Sequence, residues 1–217
     1  MQHENIFSLM EQLRYLGFGE EPNLDNQLTE LVDANEKEFK LCRSIEFDQE
    51  KRLEVVLHFR WNESLKEYAI VKYDAGLKYV DQPEKKLSTS FYIYHGMGVS
   101  AREAFNLLEG RSVFKGFIAP NGEKNYAWMK LNFLETDSKG DYKVMYFREA
   151  YRYDLEKALA PYHILEMEDV ALRQNLLVSL KKGNKHLVTF ITSYRKEKKY
   201  IQANPVRKSI IISPTRH

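Results

Sequence analysis

VSAREAFNLLEGRSVFKGFI, residues 99–118, decides the fold class. Its first half places Ala101, Ala104, Phe105 and Leu108 on one side of a helix of 3.6 residues per turn. Ser100 and Glu103 have the spacing of a capping box, in which each side chain satisfies the other residue's free backbone N–H. Gly110 supplies a stop. RSVFKGFI then reads as a strand, so a helix feeds directly into a sheet. Onward, APNGEKN is a turn, and in NYAWMKLNF (125–133) Ala127, Met129, Leu131 and Phe133 alternate with polar or amphipathic neighbours. DSKGD is a second turn and YKVMYF a strand, which together predict an antiparallel hairpin.

The same order recurs on both sides. Upstream, Ile6, Leu9, Met10, Leu13 and Leu16 make a helical stripe that Gly17 ends. NLDNQLTELVDA predicts a second helix, capped by Asn23, with Leu24, Leu28, Leu31 and Val32 buried. Strands follow: Leu53, Val55, Leu57 and Phe59 alternate with Glu54, Val56 and His58, then come EYAIVKYDAGL and STSFYIYHG. Downstream, DLEKALAPY predicts a short helix capped by Asp154 and ended by Pro161. EDVALRQNLLVSLKKG predicts a longer helix with Leu172, Leu176, Leu177 and Leu180 on one side. HLVTFITSY, KKYIQANP and KSIIIS predict three last strands. Leu24, Leu28, Val32 and Phe39 match Leu172, Leu176, Leu180 and Leu187 at a constant offset. The expected class is therefore α+β: antiparallel sheet or sheets with helices packed on one face, and a helix-helix-meander unit used two or three times. The polar loop DQPEKK suggests a division into 1–85 and 86–217, against the alternative of one continuous domain.

With 217 residues, 43% apolar and 13% aromatic, the chain is globular and can bury a real core. Its formal charge of +2 conceals a gradient: residues 1–180 carry 23 basic and 30 acidic side chains, whereas residues 181–217 carry 10 and one. Glu20–Glu38 holds seven acids against Lys37 alone. Packing of the acidic stretch on the basic end is one expectation for this pattern. Cys42 is the only cysteine, which excludes an intramolecular disulfide and suits a reducing compartment. MQHENIFSLMEQL lacks a basic region followed by an apolar run, and no segment approaches a membrane span. A soluble cytoplasmic protein without membrane contact is expected.

Motifs for chemistry are missing. The histidines and Cys42 form neither CxxC nor HExxH, so no metal site is expected. His58 falls on the polar face of its strand, where an isolated histidine is solvated; His95 sits in a turn and His217 ends the chain. HGMGVSAREAF has neither the further glycine of a dinucleotide fingerprint nor the GK of a phosphate loop, and reads as a strand-to-helix turn. Alternation puts Cys42 with Lys40, opposite Phe39 and Leu41, with no named base. No catalytic residue and no cofactor is predicted.

Nucleic acid, DNA or RNA, is the better-supported ligand. Arg195, Lys196, Lys198 and Lys199 could lie along phosphates, flanked by Lys181, Lys182 and Lys185 and by Arg207 and Lys208. Lysines ending a helix are equally accounted for by its dipole. Tyr92, Tyr94, Tyr126 and Trp128 are candidate stacking rings, although such alternation also serves cross-strand packing. A protein partner or homo-oligomer competes with this reading, and an enzyme whose site is assembled from residues distant in sequence is a further alternative.

Six phrases carry a family resemblance: YLGFGEE (15–21), EAFNLLEGRSVFK (103–115), NYAWMKLNF (125–133), YRYDLEKAL (151–159), LLVSLKKGNKHLVTF (176–190) and YIQANPVRKSIII (200–212). Together they resemble an uncharacterised protein family of Bacteroidetes found near mobilisable and conjugative elements. LLEGR (107–111) and YIQANP (200–205) are its most specific markers. The resemblance implies an accessory role around DNA, because related segments occur as repeated modules beside DNA-processing domains. It implies no catalytic residue, and this copy would be free-standing. Gly110, Asn204 and Pro205 in those markers are expected to shape backbone.

Overall fold

A computed structural model describes residues 2–19, 23–82, 84, 86–94, 96–118 and 122–215. Two compact units emerge: Met1–Leu108 with Asp137–Asp141, and Glu109–Thr136 with Tyr142–His217. The fold is α+β, with three antiparallel meanders.

In the first unit, α1 (Gln2–Leu16) buries Ile6, Leu9, Leu13 and Leu16, with Met10 half-buried. Helix α2 (Leu24–Asp33) buries Leu24, Leu28 and Val32. The predicted Asn23 cap is corrected: its side chain makes no capping bond. Asn23 instead adopts a left-handed φ of 61°, and its carbonyl accepts the Gln27 N–H at 3.1 Å. Asparagine tolerates that region better than most residues.

Strands β1 (Glu38–Glu46), β2 (Lys51–Asn62), β3 (Glu67–Tyr79) and β4 (Lys86–Tyr92) form one sheet in sequence order. Phe39, Leu41, Leu53, Val55, Leu57, Phe59, Tyr73, Leu77 and Phe91 bury its inner face. Between His58 and Phe59 the β2–β3 register slips, leaving Val71 as an extra residue on β3. This bulge changes the phase of β3: Tyr68 and Ile70 are buried before it, Tyr73, Ala75 and Leu77 after it. Beyond the reach of β4, the Tyr68 backbone would lack a partner. Asn5 on α1 supplies one, its Nδ2 donating to the Tyr68 carbonyl at 3.0 Å and its Oδ1 accepting from the Tyr68 N–H at 2.8 Å.

Helix α3 (Ala101–Leu108) starts with the predicted capping box: Ser100 N donates to Glu103 Oε2 at 2.8 Å, and Glu103 N to Ser100 Oγ at 3.4 Å. It packs on β3 and β4. This moves the division from residue 85 to Leu108/Glu109, because β4 pairs along β3 and α3 covers the same sheet. His95 and His217 lie outside the described residues, as do Glu20 and Glu21 of the acidic stretch.

The second unit holds two further meanders. Strands β5 (Val113–Ile118), β6 (Lys124–Thr136) and β7 (Tyr142–Arg148) pair in order, while the Asp137–Asp141 turn groups with the first unit. Helix α4 (Leu155–Leu159) is capped by Asp154, whose side chain accepts from Glu156 N and Lys157 N. After α5 (Val170–Lys181) come β8 (His186–Ile191), β9 (Lys196–Asn204) and β10 (Ser209–Pro214), with β9 central. Leu176, Leu180, Val188 and Ile201 anchor their core. Two members of the internal echo depart from it. Leu172 is 49% exposed in the first turn of α5, and Leu187 is 38% exposed because alternation turns Val188 and Phe190 inward instead.

Two of the quoted phrases, 151–159 and 200–212, meet at the β9–β10 turn. Tyr151 Oη donates to the Val206 carbonyl and Tyr153 Oη to the Ser209 carbonyl, both at 2.9 Å. Pro205–Arg207 forms a 3₁₀ turn that Lys208 ends at φ 50°. Gly110 adopts φ 77°, the left-handed stop expected of it.

Candidate functional site

Alternation along β9 sorts the basic residues into two sets. Lys199, Ile201 and Ala203 share the inner face with Glu197, and Lys199 Nζ lies 2.7 Å from Glu197 Oε2. Arg195 pairs with the same carboxylate through Nε. The Lys199 hydrogen bond, aided by Arg195, holds Glu197 below the usual carboxylate range. Lys199 also lies 5.7 Å from the Phe190 ring. Arg195 and Lys199 therefore leave the predicted phosphate row. Lys196 and Lys198 point to the other face and are exposed. Register puts Ile191 and Thr189 of β8 opposite them. Tyr200 and Gln202 continue their row, against Ser213 and Ile211 of β10. Among the described residues of β8, β9 and β10, none on this outer face is acidic; Glu166 accepts from the Thr189 N–H at the edge of β8.

The remaining predicted cations scatter. Lys181 Nζ lies 5.6 Å from the Phe114 ring and Lys208 Nζ 4.6 Å from the Tyr151 ring. Lys182 and Lys185 are exposed in the turn after α5, and Arg207 is exposed in the β9–β10 turn. The four candidate stacking rings divide between the two units. Tyr92 and Tyr94 belong to the first unit, Tyr126 and Trp128 to the second. Trp128 is only 4% exposed and packs against Phe114 and Tyr153, so it is withdrawn as a stacking ring. Tyr126 lies nearly parallel to Phe114, 5.9 Å between centroids.

A second polar constellation was missed by sequence reasoning. It lies on the outer face of the four-stranded sheet. Register aligns Lys40, His58, Lys72 and Tyr92 in one row, and Cys42, Val56, Asp74 and Ser90 in the next. Asp74 is the hub. Its carboxylate faces His58 Nε2 at 2.6 Å, Lys72 Nζ at 2.7 Å and Ser90 Oγ at 2.7 Å. Burial alone would raise its pKa, but the hydrogen bonds from Lys72, Ser90 and His58 outweigh it and hold the group below the usual range. His58 is thus tied down rather than solvated. Asp141 accepts from Ser90 N at 2.6 Å, and Lys139 Nζ donates to Tyr92 Oη at 2.9 Å.

Three shallow hollows open on this face. One of about 580 Å³ is lined by Cys42, Ser44, Glu54 and Ser88 among others. One of about 320 Å³ lies along Lys72, Ser90 and Asp141. One of about 730 Å³ includes Lys40, His58, Arg60, Lys72, Tyr92 and Tyr94. Cys42 is exposed opposite Val56, with its strand neighbours Leu41 and Arg43 turned inward. Among the described residues, no three His, Cys, Asp or Glu side chains group as metal ligands, and no helix is long and apolar enough to cross a membrane. The signal for the hub was the polar parity of three strands. The β3 bulge hid it, because Lys72 and Asp74 share sequence parity with the buried Tyr68 and Ile70.

Comparison with models of protein families, with curated proteins and with solved structures finds no match.

Proposed function

We propose that the protein is a non-catalytic binding module that contacts nucleic acid through the outer face of β8, β9 and β10. The observation that carries this reading is the row Lys196, Lys198, Tyr200 on a sheet face where none of the described residues of β8, β9 and β10 is acidic. Two ammonium groups on alternate residues of one strand stand at a spacing that can follow a phosphate backbone, and a tyrosine in line offers a base a stacking surface. Lys182, Lys185 and Arg207 extend the positive field at the sheet's ends. An accessory role for a mobile element in the cytoplasm is the setting the family resemblance favours.

The test is binding of a labelled single-stranded oligonucleotide followed by anisotropy across a salt series. Lys196→Gln with Lys198→Gln weakens binding for all sequences and lowers the salt slope by about 0.7 per lysine. Lys199→Gln changes it less, since that cation is held by Glu197. Unchanged affinity in the double variant would sink the proposed face.

A protein partner is the second reading, favoured by Leu187 and Ile211 on the same face, each 38% exposed. Sedimentation over a concentration series separates the two: a second copy raises the mass, and Leu187→Ser abolishes the rise.

A further inference from the structure

Resting on the nucleic-acid reading of the outer face of β8, β9 and β10, we infer that this site takes single-stranded rather than duplex nucleic acid, and that Tyr194 stacks on one of its unpaired bases. Ser193 and Tyr194 form the tip of the β8–β9 turn. Thr192 N donates to the Arg195 carbonyl at 3.0 Å; Thr192 Oγ1 donates to the same carbonyl at 2.8 Å and accepts from Arg195 N at 3.1 Å. These bonds hold the turn, so the ring projects from a fixed base. Tyr194 is 97% exposed, and among the described residues its ring and hydroxyl have no partner. Solvent on both faces of an aromatic ring is unfavourable, and stacking on a base removes that apolar area from water.

The choice of a single strand follows from what surrounds the ring. Tyr194, Lys196, Lys198 and Tyr200 stand at every second residue, so two rings bracket two ammonium groups within at most about 20 Å of chain. Neither lysine is in an ion pair among the described residues. The nearby acids are engaged elsewhere: Glu197 on the inner face holds Arg195 and Lys199, and Glu166 at the β8 edge accepts the Thr189 N–H. Beside the lysines the outer face carries apolar side chains, with Ile191 opposite Lys196, Leu187 opposite Tyr200 and Ile211 opposite Gln202. A duplex presents mainly phosphates and sugars, with the faces of its bases stacked away. Two lysines give it few contacts, and the apolar side chains and the ring give it none. An unstacked base has an apolar π-face that fits both.

Anisotropy of the full chain with a labelled oligothymidine of about 12 nucleotides, and with a duplex of the same length, tests the inference. The single strand is expected to bind at least about tenfold more tightly than the duplex at the same salt. Tyr194→Ala weakens single-strand binding about fivefold or more and leaves the salt slope unchanged, since no charge is lost. Tyr194→Phe keeps the ring and binds within about twofold of the parent. The lysine pair reports separately on the face. If Lys196→Gln with Lys198→Gln leaves affinity unchanged, the nucleic-acid reading falls and this inference with it. If that pair weakens binding, the face stands and three results overturn the inference alone: a duplex that binds as tightly as the single strand, Tyr194→Ala binding like the parent, or Tyr194→Phe losing as much as Tyr194→Ala.

Discussion

Two sheets of this molecule bury one face under helices and turn the other outward, yet they treat their lysines differently. On the four-stranded sheet, Asp74 stands on the same face as Lys72 and His58 and binds both. On the β8–β10 sheet, Glu197 stands out of phase with Lys196 and Lys198, on the inner face, where it takes Arg195 and Lys199. The placement of one carboxylate by one residue decides which cations are available to a ligand. A count of charges along the chain is blind to this. Opposite-facing neighbours in a strand do not meet, however close they are in sequence.

The largest effects come from breaking the faces that the two sheets bury alike. Leu57→Ala and Leu180→Ala remove side chains with no exposure and are each expected to cost about 2–5 kcal/mol in urea unfolding. A loss below about 1 kcal/mol would show that the inner face is not the core.

Tyr153→Phe follows, at about 1 kcal/mol, because the hydroxyl donates to the Ser209 carbonyl and accepts from Asn204 N. Burial raises the Tyr153 pKa to about 12 from an ordinary value of 10. Its neutral form is favoured by folding, so its contribution is whole below about pH 10 and is lost as pH rises through about 12. Unfolding measured across that window should lose part of its alkaline slope in the variant.

Asp74→Asn should cost under about 1 kcal/mol at neutral pH, since the hub is partly exposed and screened. The sign with pH is opposite to that of Tyr153. The Asp74 pKa is lowered on folding, so its contribution is present above the ordinary aspartate range and disappears as pH falls through the folded value. The variant's deficit should therefore shrink in acid; a deficit constant with pH would show that the ion pairs contribute nothing. Smallest is the Lys196→Gln, Lys198→Gln pair, whose unfolding should stay within about 0.5 kcal/mol of the parent while its salt slope changes. That contrast separates a free face from a bound one.

Much of the fold was legible because its signals are local. The capping box of Ser100 and Glu103, the Asp154 cap and the left-handed stop at Gly110 each involve residues within a few positions of one another. The Asn23 cap was misread because the same short side chain also suits a left-handed backbone, and sequence does not distinguish the two. The candidate sites were less legible. The basic segment was visible, but its division by Glu197 follows from strand alternation; the Asp74 hub joins residues 16 apart on neighbouring strands.

The sequence by itself determined the class: helical stripes ending at glycines, alternating runs ending at turns, and three passages from helix to strands. These follow from the backbone geometry of each segment and its own apolar period. Tertiary structure alone decided the register, and with it the meeting of His58, Lys72, Asp74 and Ser90. It also assigned α3 to the sheet before it in the chain. The physical reason lies at Val71. One extra residue on β3 exchanges its two faces, and whether a strand bulges there is settled by pairing with β2 and β4.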